Sequence, residues 1–237
     1  MQILFVCHGS RLKVNNEQYR DICNQVGLSF PQHKVIGSYL NFSTPSFDNS
    51  LNECLSFDSH ILIVPLFFFN AKHAKQDIPN IIKKYQNKYA NSTIRSLDIS
   101  QCFTHSMLNE IQPLVQNKSF LIIIGRGSSD TQSIQSFKKY INNVSSSIKA
   151  NTLAAYCDLA QPSLNNCLSQ AVKQKFSHII IFPYFLFNGK LLEDINTDIS
   201  IFKKSYPKVI INLCKPFGYH KHFTESITTE LKKLETF

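Results

Sequence analysis

The feature that most constrains the fold of this chain is an internal repeat. Phe5-Val6-Cys7-His8-Gly9-Ser10 returns as Ile123-Ile124-Gly125-Arg126-Gly127-Ser128, which sets Arg126 118 positions after His8. Ser38-Tyr39-Leu40-Asn41-Phe42-Ser43-Thr44-Pro45-Ser46 returns as Ala155-Tyr156-Cys157-Asp158-Leu159-Ala160-Gln161-Pro162-Ser163, with Pro162 117 positions after Pro45. Val64-Pro65-Leu66-Phe67-Phe68-Phe69-Asn70-Ala71-Lys72 returns as Phe182-Pro183-Tyr184-Phe185-Leu186-Phe187-Asn188-Gly189-Lys190, again 118 positions on. Three matches in one order at a spacing of 117 or 118 point to a duplicated domain. The polar stretch Gln116 to Ser119 divides the 237 residues into expected halves 1–117 and 118–237. Each half is long enough to bury a core of its own.

Within each half, short β-branched apolar runs alternate with longer segments of helical spacing. That is the pattern of βαβ units around a mainly parallel sheet. The first half predicts strands at Ile3 to Val6, Val35 to Tyr39, Ile61 to Leu66 and Thr93 to Leu97. The second predicts Phe120 to Ile124, Thr152 to Tyr156, Ile179 to Pro183 and Val209 to Leu213. Helical spacing runs from Asn16 to Val26 and from Ile78 to Tyr89, and Ser43-Thr44-Pro45 reads as a helix start, with a hydroxyl cap and proline in the first turn.

Composition removes several classes. The apolar fraction, 43%, is ordinary for a globular chain, and the longest apolar runs are nine residues, too short to cross a membrane. No secretory signal is evident after Met1, so the cytoplasm is the expected compartment. Seven cysteines without a CxxC pair suggest buried thiols rather than a disulfide framework or zinc ribbon. The formal charge of +9 leaves nucleic acid, an anionic surface and a polycarboxylate substrate as candidate partners. The lysines are dispersed and no nucleic-acid-binding module is visible, so no nucleic-acid partner is expected.

In parallel α/β sheets, ligands bind beyond the carboxyl ends of the strands. His8-Gly9-Ser10-Arg11 follows the first strand and Asn70 to His73 follows the third, so His8 and His73, 65 residues apart, are expected to face one cleft. The second-half loops Arg126 to Asp130 and Asn188 to Lys190 would form its opposite wall. A strand-end histidine can simply hydrogen-bond its turn; a neutral one can also bind a transition metal or take up a proton. Placement at equivalent strand ends favours a shared site. Ser10, Arg11, Arg126, Ser128, Ser129, Lys72 and Lys190 are candidate anion contacts, although lysines at helix starts are commonly solvated. His60 and His178 precede strands and are expected to be structural, whereas His220 and His222 are expected at the surface. Phe67, Phe68, Phe69, Tyr184, Phe185 and Phe187 read mostly as core, with one or two beside Asn70 and Asn188 available to a flat ligand.

These motifs resemble the class II chelatases of the sirohydrochlorin ferrochelatase and CbiX-type cobaltochelatase family. The resemblance rests on Cys7-His8-Gly9-Ser10-Arg11, on Pro65 to His73 followed by Asp77-Ile78-Pro79, and on Gly125-Arg126-Gly127-Ser128-Ser129-Asp130, and it spans nearly the whole chain. It implies two tandem flavodoxin-like halves flanking a cleft and ATP-independent insertion of a divalent metal into a tetrapyrrole. By it, His8 and His73 are the metal-binding and proton-accepting residues, and Ser10, Arg11, Ser43, Lys72, Arg126 and Ser128 contact sirohydrochlorin. The metal is a substrate, Fe2+ or alternatively Co2+ or Ni2+, and no permanently bound cofactor is expected. The family often carries an acid where this chain has Asn41; Asp158 holds the equivalent place in the second half. Because Arg126 and Leu191 stand where the first half has His8 and His73, one metal site per chain is expected, in a monomer. A non-catalytic tetrapyrrole or metal carrier would use the same residues. A histidine phosphatase is disfavoured because Cys7, not arginine, precedes His8.

Overall fold

A computed structural model describes residues 1–68 and 76–235. The described chain forms two four-stranded sheets, and every pairing in both is parallel. The first contains β1 (Gln2–Cys7), β2 (Lys34–Tyr39), β3 (His60–Pro65) and β4 (Thr93–Ser96) in the order β2-β1-β3-β4. The second contains β5 (Ser119–Gly125), β6 (Asn151–Tyr156), β7 (His178–Pro183) and β8 (Ile210–Leu213) in the order β6-β5-β7-β8. All eight strands lie where the apolar runs predict them, each end within one residue. This is the two-halved parallel α/β architecture expected from the repeat.

Every residue of β1 and β5 is buried, as the central strands of a sheet covered on both faces must be. In the first unit, Leu4 and Val6 of β1 pack with Leu51, Cys54 and Leu55 of α2 (Phe47–Phe57) and with Ile61 and Ile63 of β3. The other face is covered by α1 (Lys13–Leu28), whose Tyr19, Ile22, Cys23 and Val26 form one apolar stripe. The second core repeats this with Ile122 and Ile124 of β5, with α6 (Leu164–Lys173), and with Ile195, Ile199 and Phe202 of α7 (Lys190–Ser205). Each fully buried aliphatic side chain contributes about 1.5–3 kcal/mol of transfer free energy.

The compact units differ from the sequence halves at their last helices. The first comprises Met1–Cys102 together with the chain from Phe223, and the second comprises Phe103–His222. The helix α4 (Ser100–Ile111) presents Phe103, Met107 and Ile111 as a buried stripe, and α8 (Lys221–Glu235) presents Phe223, Ile227 and Leu231 at the same four-residue spacing. The duplication therefore reaches the last helix of each half. In the second unit Phe103 stacks edge-on to Phe217 with centroids 5.1 Å apart.

The predicted helix start at Ser43 needs correction. The helix α2 begins at Phe47, and its cap is Ser46, whose hydroxyl accepts from the Asn49 N–H at 3.3 Å. Pro45 lies one residue earlier, after a cis peptide bond, and its carbonyl accepts from the Tyr39 N–H at 3.0 Å. That bond ties Pro45 to the end of β2, so it is unavailable to the first helical turn. Ser163 caps α6 in the same way and adds a capping box with Asn166.

Candidate active site

In the first unit the chain runs from β1 outward to β2, then back across β1 to β3. The strand order therefore reverses between β1 and β3, and it is beyond the carboxyl ends of such neighbours that an open α/β sheet leaves a crevice. His8 stands at the β1 exit, exposed, directly after the last strand residue Cys7. His73 and Lys72 follow β3 in the chain but lie outside the described residues. Among the described residues no cluster of three or more His, Cys, Asp or Glu side chains could hold a metal.

Two backbone bonds fix the β1 exit. The Leu40 N–H donates to the Cys7 carbonyl at 2.9 Å and the Asn41 N–H to the His8 carbonyl at 3.0 Å, continuing the β1–β2 ladder past the strands. Gly9 then turns with φ +83°, and a Cβ there would fall on the Asn41 carbonyl oxygen. Glycine is required on both counts. The next residue, Ser10, is tied down by α1: its N–H donates to Asn16 Oδ1 at 3.0 Å, and its carbonyl accepts from Asn16 Nδ2 at 2.7 Å. The Ser10 hydroxyl oxygen accepts from the Leu12 N–H and from Asn15 Nδ2. Its structural work is thus to start α1, and what it can offer a ligand is its proton.

The β2 exit loop supplies a residue that the sequence reading passed over. Phe42 has φ +59°, a left-handed conformation costing a residue with a Cβ about 1 kcal/mol or more, and its side chain remains 54% exposed. Its ring meets the His8 imidazole in a T-shape, centroids 5.4 Å apart at 87°, and the Arg11 guanidinium carbon lies 5.0 Å from its centroid. The available signal was the repeat itself, which keeps an apolar residue, Phe42 or Leu159, in an otherwise polar loop. Asn41 and Arg11 are exposed beside it, and Ser43 is half-buried.

Cys7 adjoins His8 but faces the core. Burial pushes its thiol up to about 12, and only partial relief comes from the Gly9 backbone and Tyr19. The Cys7 side chain is buried in the sheet, whereas the neighbouring imidazole is exposed at the strand end. All seven cysteines are free, five buried and two half-buried, as their spacing predicts.

The second unit builds the same exit with other side chains. The Cys157 N–H donates to the Gly125 carbonyl and the Asp158 N–H to the Arg126 carbonyl, both at 3.0 Å. Gly127 turns with φ +92°, where a Cβ would fall on the Asp158 carbonyl oxygen. Leu159, at φ +58°, is 57% exposed. Arg126 is exposed at the place of His8, and Ser128 Oγ accepts from the Asp130 N–H at 3.0 Å. Asp130 in turn caps α5 (Thr131–Ser145). Lys190 is engaged by Asp194 at 2.9 Å, one helical turn along.

The histidines outside these loops divide differently from expectation. His178 is structural as predicted: buried, with Nδ1 2.8 Å from Ser119 Oγ and Nε2 2.9 Å from Asn212 Nδ2. His60 is exposed, bonded to the neighbouring Ser59. His222 is exposed, but His220, expected at the surface, is 7% exposed. Its Nδ1 pairs with Glu110 at 3.0 Å, its Nε2 lies 2.6 Å from the Lys215 carbonyl, and its ring stacks on Phe182. Glu110 on α4 and Phe182 on β7, both remote in sequence, account for much of the burial, and local sequence carries no trace of them. Tyr184 is core, in an aromatic cluster with Phe137, Tyr140 and Phe217. No described helix is long and apolar enough to cross a membrane.

Comparison with known proteins gives one consistent result. Residues 2–103 and 120–234 match the CbiX family profile. A sirohydrochlorin ferrochelatase of Priestia megaterium is 26% identical over 251 aligned positions, covering 98% of this chain and 90% of that protein. A sirohydrochlorin cobaltochelatase of the same organism is 20% identical, over 92% of this chain and 74% of its own length. The structure of SirB from Bacillus subtilis with Fe3+ superposes with a TM-score of 0.83 at 22% identity, over 98% of this chain and 94% of that one.

Proposed function

The chain belongs to the CbiX family of class II chelatases, and from that premise we propose that it inserts a divalent metal, Fe2+ foremost, into sirohydrochlorin without ATP. The observation that carries the reading is His8, exposed at the β1 exit where the strand order reverses, in a chain that aligns almost end to end with a protein named for that reaction.

The chemistry follows from proton accounting. A free-base tetrapyrrole loses two pyrrole protons as the metal enters, so the site needs a loosely held cation and a nearby base. In the neutral form, His8 and His73 would present the metal through a ring nitrogen and then accept protons. Ligation by imidazoles without a carboxylate cage keeps the metal transferable, and Asn41 in place of an acid supports that. In the first unit Arg11 and Lys72, with the hydroxyls of Ser10 and Ser43, offer donors to the carboxylates of the macrocycle, and Arg126 and Ser128 offer the same chemistry at the matching exit of the second. Cobalt is the second reading, favoured by the cobaltochelatase relative and by imidazole's affinity for both metals.

The test is an absorbance assay of the purified chain with sirohydrochlorin and Fe2+, Co2+ or Ni2+ in turn. Insertion above the spontaneous rate is expected, fastest with Fe2+. His8→Ala and His73→Ala are each expected to lower turnover by about 100-fold or more while the chain stays folded. No acceleration with any metal would favour a carrier, and near-wild-type rates in both variants would overturn the site.

A further inference from the structure

The geometry points to Phe42 as a positioning residue that sets the orientation of the His8 imidazole and holds the Arg11 guanidinium beside it. This deepens the chelatase reading of His8 and rests on it.

Loop apices that need a left-handed backbone ordinarily take glycine or asparagine. Here a phenylalanine occupies one, with φ +59° and half its side chain open to water. The second unit repeats the left-handed backbone with Leu159, so the conformation belongs to the shared frame, and what marks Phe42 is the pair of groups its ring touches. Phe42 has two partners of exactly the kind the proposed reaction uses. The His8 ring stands against it at 87°, a T-shaped contact that resists rotation of the imidazole about its bond to Cβ. The Arg11 guanidinium sits over it at 5.0 Å, a cation–π contact that holds a carboxylate-binding fork in place.

The backbone supports the same assignment. Asn41 donates its N–H to the His8 carbonyl, and its own carbonyl lies where only a glycine at position 9 leaves room. The main chain of residue 41 is thus fastened to that of residue 8, so the side chain of residue 42 is delivered to His8 at a fixed distance. A metal passed to a macrocycle must be held at one place by a ring that does not swing, and near-attack geometry is lost with small misplacements. The imidazole needs a wall, and Phe42 is one.

The test compares Phe42→Ala, Phe42→Leu and Phe42→Tyr in the full chain, by steady-state insertion of Co2+ and by NMR relaxation of the His8 imidazole in histidine-labelled protein. Phe42→Ala is expected to lower kcat about tenfold and raise the KM for metal severalfold. Phe42→Tyr, which keeps the aromatic face, should remain within twofold, and Phe42→Leu, which keeps bulk alone, should fall between them. The imidazole order parameter should drop from near-backbone values of roughly 0.8 to below roughly 0.6 in Phe42→Ala and recover in Phe42→Tyr. Kinetics within twofold of wild type in Phe42→Ala, or an unchanged order parameter, would overturn the assignment; so would Phe42→Leu matching Phe42→Tyr, the pair that decides if Phe42→Ala fails to fold. A wild-type chain that accelerates no insertion would instead count against the chelatase reading, and the order parameter would still decide whether Phe42 fixes the ring.

Discussion

In the first unit Gly9 turns with φ +83° behind His8, and in the second Gly127 turns with φ +92° behind Arg126. The frame around the two turns is shared bond for bond: residue 41 or 158 donates to the carbonyl of residue 8 or 126, a left-handed Phe42 or Leu159 follows, and Ser46 or Ser163 caps the next helix. What differs is the donor mounted on the frame. One unit carries an imidazole, which can bind a metal and take a proton, and the other a guanidinium, which stays charged and binds anions. Duplication has preserved the mount, and divergence has changed what it holds.

The sharpest way to break this comparison is to exchange the mounted residues. His8→Arg is expected to lower metal insertion by about 100-fold or more, measured as initial rate with sirohydrochlorin. Adding Arg126→His to it should not restore the rate. Leu191 stands where the first unit has His73, so the second unit has no counterpart of that imidazole. Recovery in the double variant would mean that the two units are chemically equivalent.

The frame can be tested apart from the donor. Gly9→Ala and Gly127→Ala each force a left-handed residue onto a carbonyl oxygen, so each should destabilise the chain by about 1–3 kcal/mol in thermal or denaturant melts. Gly9→Ala should also reduce turnover of the remaining folded protein, because it displaces His8 and the loop bearing Phe42. Gly127→Ala should act mainly on stability.

The smallest effect belongs to the amino end of the first sheet. Asp58 is held below the ordinary carboxylate range, first by the His60 N–H at 2.8 Å and then by the N-terminal amine at 2.9 Å. At the matching place the second unit has Phe176, and its His178 is buried on Ser119 and Asn212 instead. A depressed folded pKa stabilises the fold above the unfolded value, and that stability is lost as pH falls through the folded one. Asp58→Asn should therefore cost less than about 1 kcal/mol at about pH 7, and the gap to wild type should narrow as pH falls below the ordinary carboxylate range in paired thermal melts.

The strands were legible because a buried parallel strand is an apolar run that ends at its own loop, so Ile179 to Pro183 announces β7 without reference to anything else. The β1 exit was legible because His8-Gly9-Ser10 carries its turn glycine with it. Four things were not. Ser43 and Ser46 lie on either side of Thr44-Pro45 and both can cap a helix; the choice of Ser46 depends on Pro45 bonding back to Tyr39. His220 is buried by Glu110, far away in sequence, and by Lys215. Phe42 reads as a surface aromatic until the positive φ and the contacts with His8 and Arg11 are known. The compact unit to which α8 belongs is likewise a matter of tertiary packing, since its apolar stripe is the same whichever core it enters.

The claim that one unit carries the metal chemistry is tested most directly by titrating Co2+ into the full chain without tetrapyrrole and reading the number of equivalents bound from the visible absorption. One equivalent per chain is predicted for wild type and for Arg126→Ala, with none for His8→Ala. Saturation at two equivalents, or an unchanged titration in His8→Ala, would contradict it.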